Sequence, residues 1–122
     1  MLDSHALLWA LTAPEKLSTD AVREIAAAEN SVYFSPASVW ELEIKRARGK
    51  LDVPDDWFDS VERSRFVELP IRSNHAKAVG RLPWHHRDPF DRMLIAQALV
   101  DDLRLVTRDR LAAAYGVKVL EA

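Results

Sequence analysis

The sequence contains no cysteine, so neither a disulfide framework nor a thiolate metal site is available to it. That is compatible with a reducing cytosol. No apolar run reaches the roughly 20 residues that a membrane-spanning helix requires. The N-terminal stretch MLDSHALLWAL has no basic leader, and its acid at position 3 argues against a signal peptide. A cytoplasmic protein without membrane contact is expected. Excess charge is also lacking. A net charge of -2 gives no global attraction to nucleic acid, so a nucleic-acid substrate requires local basic patches or bridging cations. The chain has no internal repeat, low-complexity tract or linker, and its histidines show no HxxxH spacing.

What is present describes one domain. At 122 residues, 48% apolar and 30% charged, the chain can bury a core without covalent staples, and residues 1–122 are read as a single unit. Short runs at 31–34, 66–69, 103–106 and 117–120, rich in β-branched and aromatic residues, read as strands. Helical patterns separate them, opening at Ser4, Ser18, Ser35 with Pro36, Pro54, Ser73 and Asp88 with Pro89, and a short helix spans 110–115; the polar caps and the prolines at first helical positions mark the starts. Alternation of this kind predicts an α/β fold, a single-domain α/β/α sandwich around a mainly parallel central sheet. In such sheets the ligand site lies beyond the carboxyl ends of the strands. Only Met1 and Leu2 precede Asp3, so the first strand is either a stub or begins upstream.

Acids recur where these elements begin or end. Asp3 follows the stub strand and precedes ALLWAL; Asp109 follows LRLVT; Asp88 and Asp91 bracket Pro89 and Phe90. Each has a structural explanation. Asp3, Asp88 and Asp109 are N-cap candidates, and Asp91 at the third helical position suits the helix dipole. Ligation is the alternative, because a carboxylate has two oxygens and can do both jobs. Strand-end acids converge only if their strands are neighbours. Close carboxylates repel unless a cation neutralises them, and an all-oxygen donor set suits Mg²⁺ or Mn²⁺. Such a site fits phosphodiester hydrolysis. In ASVWELEIKRA, the residues Val39, Trp40, Ile44 and Ala47 form an apolar stripe that contains Glu43 and has Glu41 at its border. The helical wheel therefore favours Glu43, and Glu41 is equally accounted for by a pair with Lys45.

Basic residues flank the acids. Arg92, Arg108 and Arg110 serve either as guides for substrate phosphates or as counter-charges. For His5 and His86 a structural hydrogen bond is the safer reading. Trp9, Trp40 and Trp84 read as core or interface. Trp57 and Phe58 are either buried or an exposed patch. Asp101 and Asp102 read as solvated charge. A dehalogenase-like site wants DxD after its first strand, and here the chain reads Asp3-Ser4-His5.

DSHALLWAL, SVWELEIKRARGKLDVP, LPWHHRDPFDRMLIAQA and LRLVTRD, spanning nearly the whole chain, resemble the PIN-domain nucleases, and in particular the VapC-type toxins of bacterial toxin–antitoxin pairs. The resemblance implies a compact α/β/α fold and Mg²⁺- or Mn²⁺-dependent endoribonuclease activity. It implies that Asp3, Glu41, Asp91 and Asp109 form the metal-binding, catalytic quartet. Asp88 matches an accessory ligand or cap, and Ser4 and Thr107 match positions that support the carboxylates. An RNA substrate, a cognate antitoxin protein and a homodimer follow as expected partners. The rival is a non-catalytic PIN-fold module that binds RNA or another protein.

Overall fold

The computed structural model describes residues 1–122. Its strands are brief: β1 Tyr33–Phe34, β2 Val67–Glu68, β3 Leu105–Thr107 and β4 Val119–Glu121. β1 pairs with β2 and β3 with β4, both in parallel. The N-terminal stub joins the two pairs. Leu2 N–H donates to Tyr33 O on one side, while Val106 N–H donates to Met1 O and Asp3 N–H to Val106 O on the other, as a parallel bridge between Leu2 and Val106. The hydrogen-bonded order is therefore β2, β1, stub, β3, β4. Asp3 and Asp109 lie beyond the carboxyl ends of adjacent strands, the arrangement that convergence requires.

Side-chain alternation along these strands sends neighbours to two separate cores. Leu2, Phe34 and Val106 join one apolar cluster, packed with Leu7, Leu42 and Trp57. Met1 and Leu105 join the other, packed with Leu94, Ile95 and Val117. The first cluster is covered by α1 Ser4–Thr12, α2 Thr19–Ala26 and α4 Trp57–Arg63, and the second by α5 Ser73–Val79 and α6 Pro89–Val100. Helix α3, Pro36–Ala47, reaches both, through Leu42 on one side and Ala37 on the other. This is the expected α/β/α sandwich. No helix is long and apolar enough to cross a membrane.

All four strands begin later than the sequence pattern implies, and for β3 and β4 the reason is a helix exit that occupies the preceding residues. α6 ends with Asp102 at φ 51, and Leu103 N–H reaches back to Ala98 O at 2.8 Å, a Schellman-type closure. Residues 101–103 therefore belong to the helix exit. Before β4, the 3-10 helix Arg110–Tyr115 closes on Gly116 at φ 82, a left-handed position that suits glycine. The expected helix from Pro54 starts instead at Trp57, whereas α5 begins at Ser73 as the sequence pattern implies.

Other expectations are corrected by burial. Trp57 is a core residue at 1% exposure, whereas Trp40 and Trp84 are 64% and 77% exposed and do not belong to the core. Asp101 is not merely solvated charge: it meets the buried His75 Nε2 at 2.6 Å. Arg92 does not guide substrate. Its side chain is buried, with the residue 3% exposed, and its guanidinium donates to the carbonyls of Val79, Leu82, Pro83 and His86 beneath the Trp84 ring. It clamps the loop that leads into α6. Arg92→Met, which keeps most of the apolar volume, leaves these carbonyls without their donor and is expected to cost on the order of 3 kcal/mol. Chemical denaturation checks this, and a change below about 0.5 kcal/mol, the level of an ordinary surface substitution, contradicts the clamp.

Candidate metal centre

Three of the acids are helix caps, and each caps with one oxygen. Asp3 Oδ1 accepts from Ala6 N–H at 2.7 Å at the start of α1. Asp88 Oδ1 accepts from Phe90 and Asp91 N–H at 2.8 and 3.1 Å at the start of α6. Asp109 Oδ1 accepts from Leu111 N–H at 3.0 Å at the start of the 3-10 helix. The second oxygen of each is not required for capping, so structural and ligating roles coexist. Asp91, one turn into α6, has no capping bond of its own.

Asp3, Glu41, Asp88, Asp91 and Asp109 all line one open cleft of about 420 Å³, together with Ser4, His5, Trp9, Lys45, Thr107 and Arg108. Two of these acids form a tighter group with a histidine beside the cleft: ligand atoms of His86, Asp91 and Asp109 lie within 4.8 Å of one another. Asp3, Glu41 and Asp88 share the cleft but stand outside that trio.

Small hydroxyls hold the carboxylates. Ser4 Oγ donates to Glu41 Oε1 at 2.7 Å. The Thr107 hydroxyl accepts from Asp109 N–H at 3.0 Å and lies on the side of Asp3, whose carboxyl it helps to hold ionised, so it stands between the two strand-end acids. Glu41, only 7% exposed, also binds Lys45 Nζ through Oε2 at 2.8 Å, so both its oxygens already have partners. Glu43 points elsewhere. It accepts from Arg46 and from the indole N–H of Trp57 at 2.9 Å, and its pKa is lowered first by the Arg46 hydrogen bond and then by that of Trp57. The preference of the helical wheel for Glu43 is thereby corrected. The buried residues of α3 are Ala37, Ser38, Glu41 and Leu42, and the polar members of that face conceal it from an apolar count.

The arginines divide. Arg108 lines the cleft, but its guanidinium sits over the Trp9 ring and donates to Ala122 O and Lys16 O. Arg110 is exposed beside a neighbouring groove. His5 is exposed and packs at a tilt against Trp9. His86, read from sequence as a structural hydrogen-bonder, bonds an acid of the cleft: its Nε2 meets Asp109 Oδ2, while Nδ1 meets the Tyr115 hydroxyl. Tyr115 was not singled out by sequence reasoning, and no spacing marks it.

Electrostatics fits a cation in this place. Burial pushes the Asp3 carboxyl above its ordinary range, opposed by the Thr107 and Ala6 hydrogen bonds. Asp91 is pushed up to about 6, first by burial, then by the charges of Asp88 and Glu41, with His86 opposing and Asp109 adding. A carboxylate raised by burial and by neighbouring carboxylates is one that a divalent ion relieves, and carboxylate oxygens are the donors that Mg²⁺ and Mn²⁺ take.

A parallel α/β/α sheet with a carboxylate-lined cleft at its strand ends defines a class of candidate divalent-metal proteins. The family is narrower: a PIN domain model matches residues 1–118, and the chain belongs to the PIN domain family. Comparison with curated proteins finds no match. Among solved structures, the fold matches a chain of the crystal structure of VapBC2 from Rickettsia felis bound to a DNA fragment from their promoter. The TM-score is 0.74 at 14% identity, covering 98% of this chain and 96% of that one. At that identity the likeness is one of fold.

The raised Asp91 has a consequence for the metal-free protein. Its carboxyl holds a proton more tightly folded, at about 6, than at its ordinary 3.8, so stability is greatest below the ordinary value and declines as pH rises through about 6. Asp91→Asn removes this contribution. Thermal unfolding in EDTA is expected to show the variant gaining stability relative to the parent between pH 4 and pH 7. Parallel curves across that range contradict the electrostatic account.

Proposed function

We propose that this chain is a divalent-metal-dependent endoribonuclease, using Mg²⁺ or Mn²⁺, and that it acts as the toxin of a bacterial toxin–antitoxin pair. The observation that carries this is the convergence of Asp3, Glu41, Asp88, Asp91 and Asp109 on one open cleft, where Lys45 is bound to only one of them. Membership of the PIN domain family and the fold shared with a chain of the VapBC2 complex support the same reading.

Asp3, Glu41, Asp91 and Asp109 are the residues that would hold the ion, with Asp88 as cap and accessory ligand. When bound, it supplies charge to polarise a phosphoryl oxygen and acidity to activate water. Ser4 and Thr107 keep Glu41, Asp3 and Asp109 in place. Their hydroxyls are committed to that work, and with no cysteine in the chain the site has no free serine, threonine or thiol nucleophile of its own; water fills that role. Lys45 offsets the charge of Glu41 and stands within the cleft, where it can meet a phosphate. Arg108, which lines the cleft, and Arg110, exposed beside the adjoining groove, are suited to backbone phosphates of the substrate.

A cognate antitoxin, a homodimer and a cytoplasmic location belong to this reading. The exposed Trp40 and Trp84 supply apolar area for a protein partner. The experiment is cleavage of a fluorescent single-stranded RNA by purified protein, with and without Mg²⁺ or Mn²⁺. Cleavage is expected to need the ion and to be abolished by Asp3→Asn and by Asp91→Asn, with circular dichroism unchanged. Full activity of both variants, once contaminating ribonuclease is excluded, contradicts the assignment. RNA binding without ion-dependent cleavage favours the non-catalytic module instead.

A further inference from the structure

We infer that His86 is a positioning residue for the ion site: locked by the Tyr115 hydroxyl, its imidazole fixes Asp109 in the orientation that receives a divalent cation. This rests on the metal-dependent reading of the cleft and adds a part that neither the acid pattern nor the family match assigns.

The hydrogen-bond pattern determines what the imidazole does. The Tyr115 oxygen accepts the backbone N–H of His86 at 2.8 Å and lies 3.0 Å from Nδ1, with the two rings stacked at 26°. Having accepted one proton from the backbone, the phenol has its own proton to give to Nδ1. Nδ1 is then the acceptor, Nε2 carries the ring proton, and Nε2–H donates to Asp109 Oδ2. The opposite tautomer would set a bare nitrogen lone pair against a carboxylate.

Asp109 is thereby held on every side. Its N–H donates to Thr107, its Oδ1 caps the 3-10 helix, and its Oδ2 takes the His86 proton while retaining lone pairs for an ion. The relay also closes the 3-10 helix upon itself, because Asp109 opens that helix and Tyr115 ends it. His86 bridges both ends two residues before Asp88, the cap of α6. Its carbonyl lies against the Arg92 clamp at 3.4 Å. The loop into α6, which carries Asp88 and Asp91, is thus registered to the end of β3, which carries Asp109. The proximity of a His86 ring nitrogen to carboxylate oxygens of both Asp91 and Asp109 places this contact at the cation position rather than in the scaffold. Outer partners of ligating carboxylates contribute about 10- to 100-fold to metal affinity.

The test is Mn²⁺ binding to the full chain, without RNA, by calorimetry and by electron paramagnetic resonance. H86F and Y115F are each expected to weaken Mn²⁺ binding by about 10- to 100-fold. The double variant H86F/Y115F should bind no worse than H86F, because Tyr115 acts through His86. H86Q, which keeps an N–H within reach of Asp109, should recover most of the loss. A residue that only supports the fold would lower the melting temperature without this pattern. Unchanged Mn²⁺ affinity in H86F and Y115F, or losses that multiply in the double variant, overturns the inference. Nitrogen coupling in the Mn²⁺ spectrum does so too, since the imidazole would then be a ligand. Should H86F fail to fold, Y115F and H86Q answer the question alone. Parent protein that binds no Mn²⁺ removes this inference and the proposed function together, whereas parent binding with unaffected variants removes this inference only.

Discussion

Carboxylates gathered in one partly buried cleft ionise at a cost unless something positive lies among them. Lys45 meets that need for Glu41 alone. His86 meets Asp109 Oδ2 through its Nε2 and, when protonated, is the one cationic side chain whose charge opposes the raised Asp91 carboxyl. Asp91 shows the residual strain most clearly, since its proton is held well above the ordinary carboxylate range. A fold that keeps such an arrangement gives up stability at neutral pH, and sites of function are where that concession is found. The rest of the molecule is organised around holding these oxygens near one another.

The means of holding them is economical in a structural sense. A parallel sheet sets the carboxyl ends of adjacent strands side by side, and each helix that follows a strand needs a cap. Asp3 and Asp109 answer both requirements at once, one oxygen closing a helix start and the other left out of the capping bond, in residues that line the cleft. Asp88 does the same at α6. Thr107 and Ser4 supply hydroxyls that tie neighbouring acids to one another across elements distant in sequence. Behind this surface the Arg92 guanidinium, buried against backbone carbonyls, fixes the loop from which His86 and Asp88 emerge.

Much of this was legible in the residues. Short β-like runs separated by capped helices imply a parallel α/β/α sandwich, and the acids at element ends are visible by position. Burial of the α3 face was not legible, because that face includes Ser38 and Glu41, so an apolar stripe drawn from Val39, Trp40 and Ile44 points to Glu43. Trp57 decides the matter from another helix by occupying Glu43 with its indole proton, a contact that helix periodicity cannot contain. Arg92 resembles a substrate guide in sequence because it neighbours Asp91, yet adjacent helical positions face about 100° apart and it turns inward. The Tyr115–His86–Asp109 relay joins the loop before α6 to the segment that follows β3, and no spacing in the sequence marks that pairing. Local patterns show caps and periods, whereas pairings across the fold appear only once the sheet order is known.

The central claim is that these oxygens form one cation site. Crystals of the protein soaked in Mn²⁺ and measured for anomalous scattering test it without reference to any substrate. The account predicts a peak in the cleft within bonding distance of Asp91 and Asp109 carboxylate oxygens, on the side facing Asp3. A peak elsewhere on the molecule, or none at an Mn²⁺ concentration that loads other carboxylate sites, contradicts it.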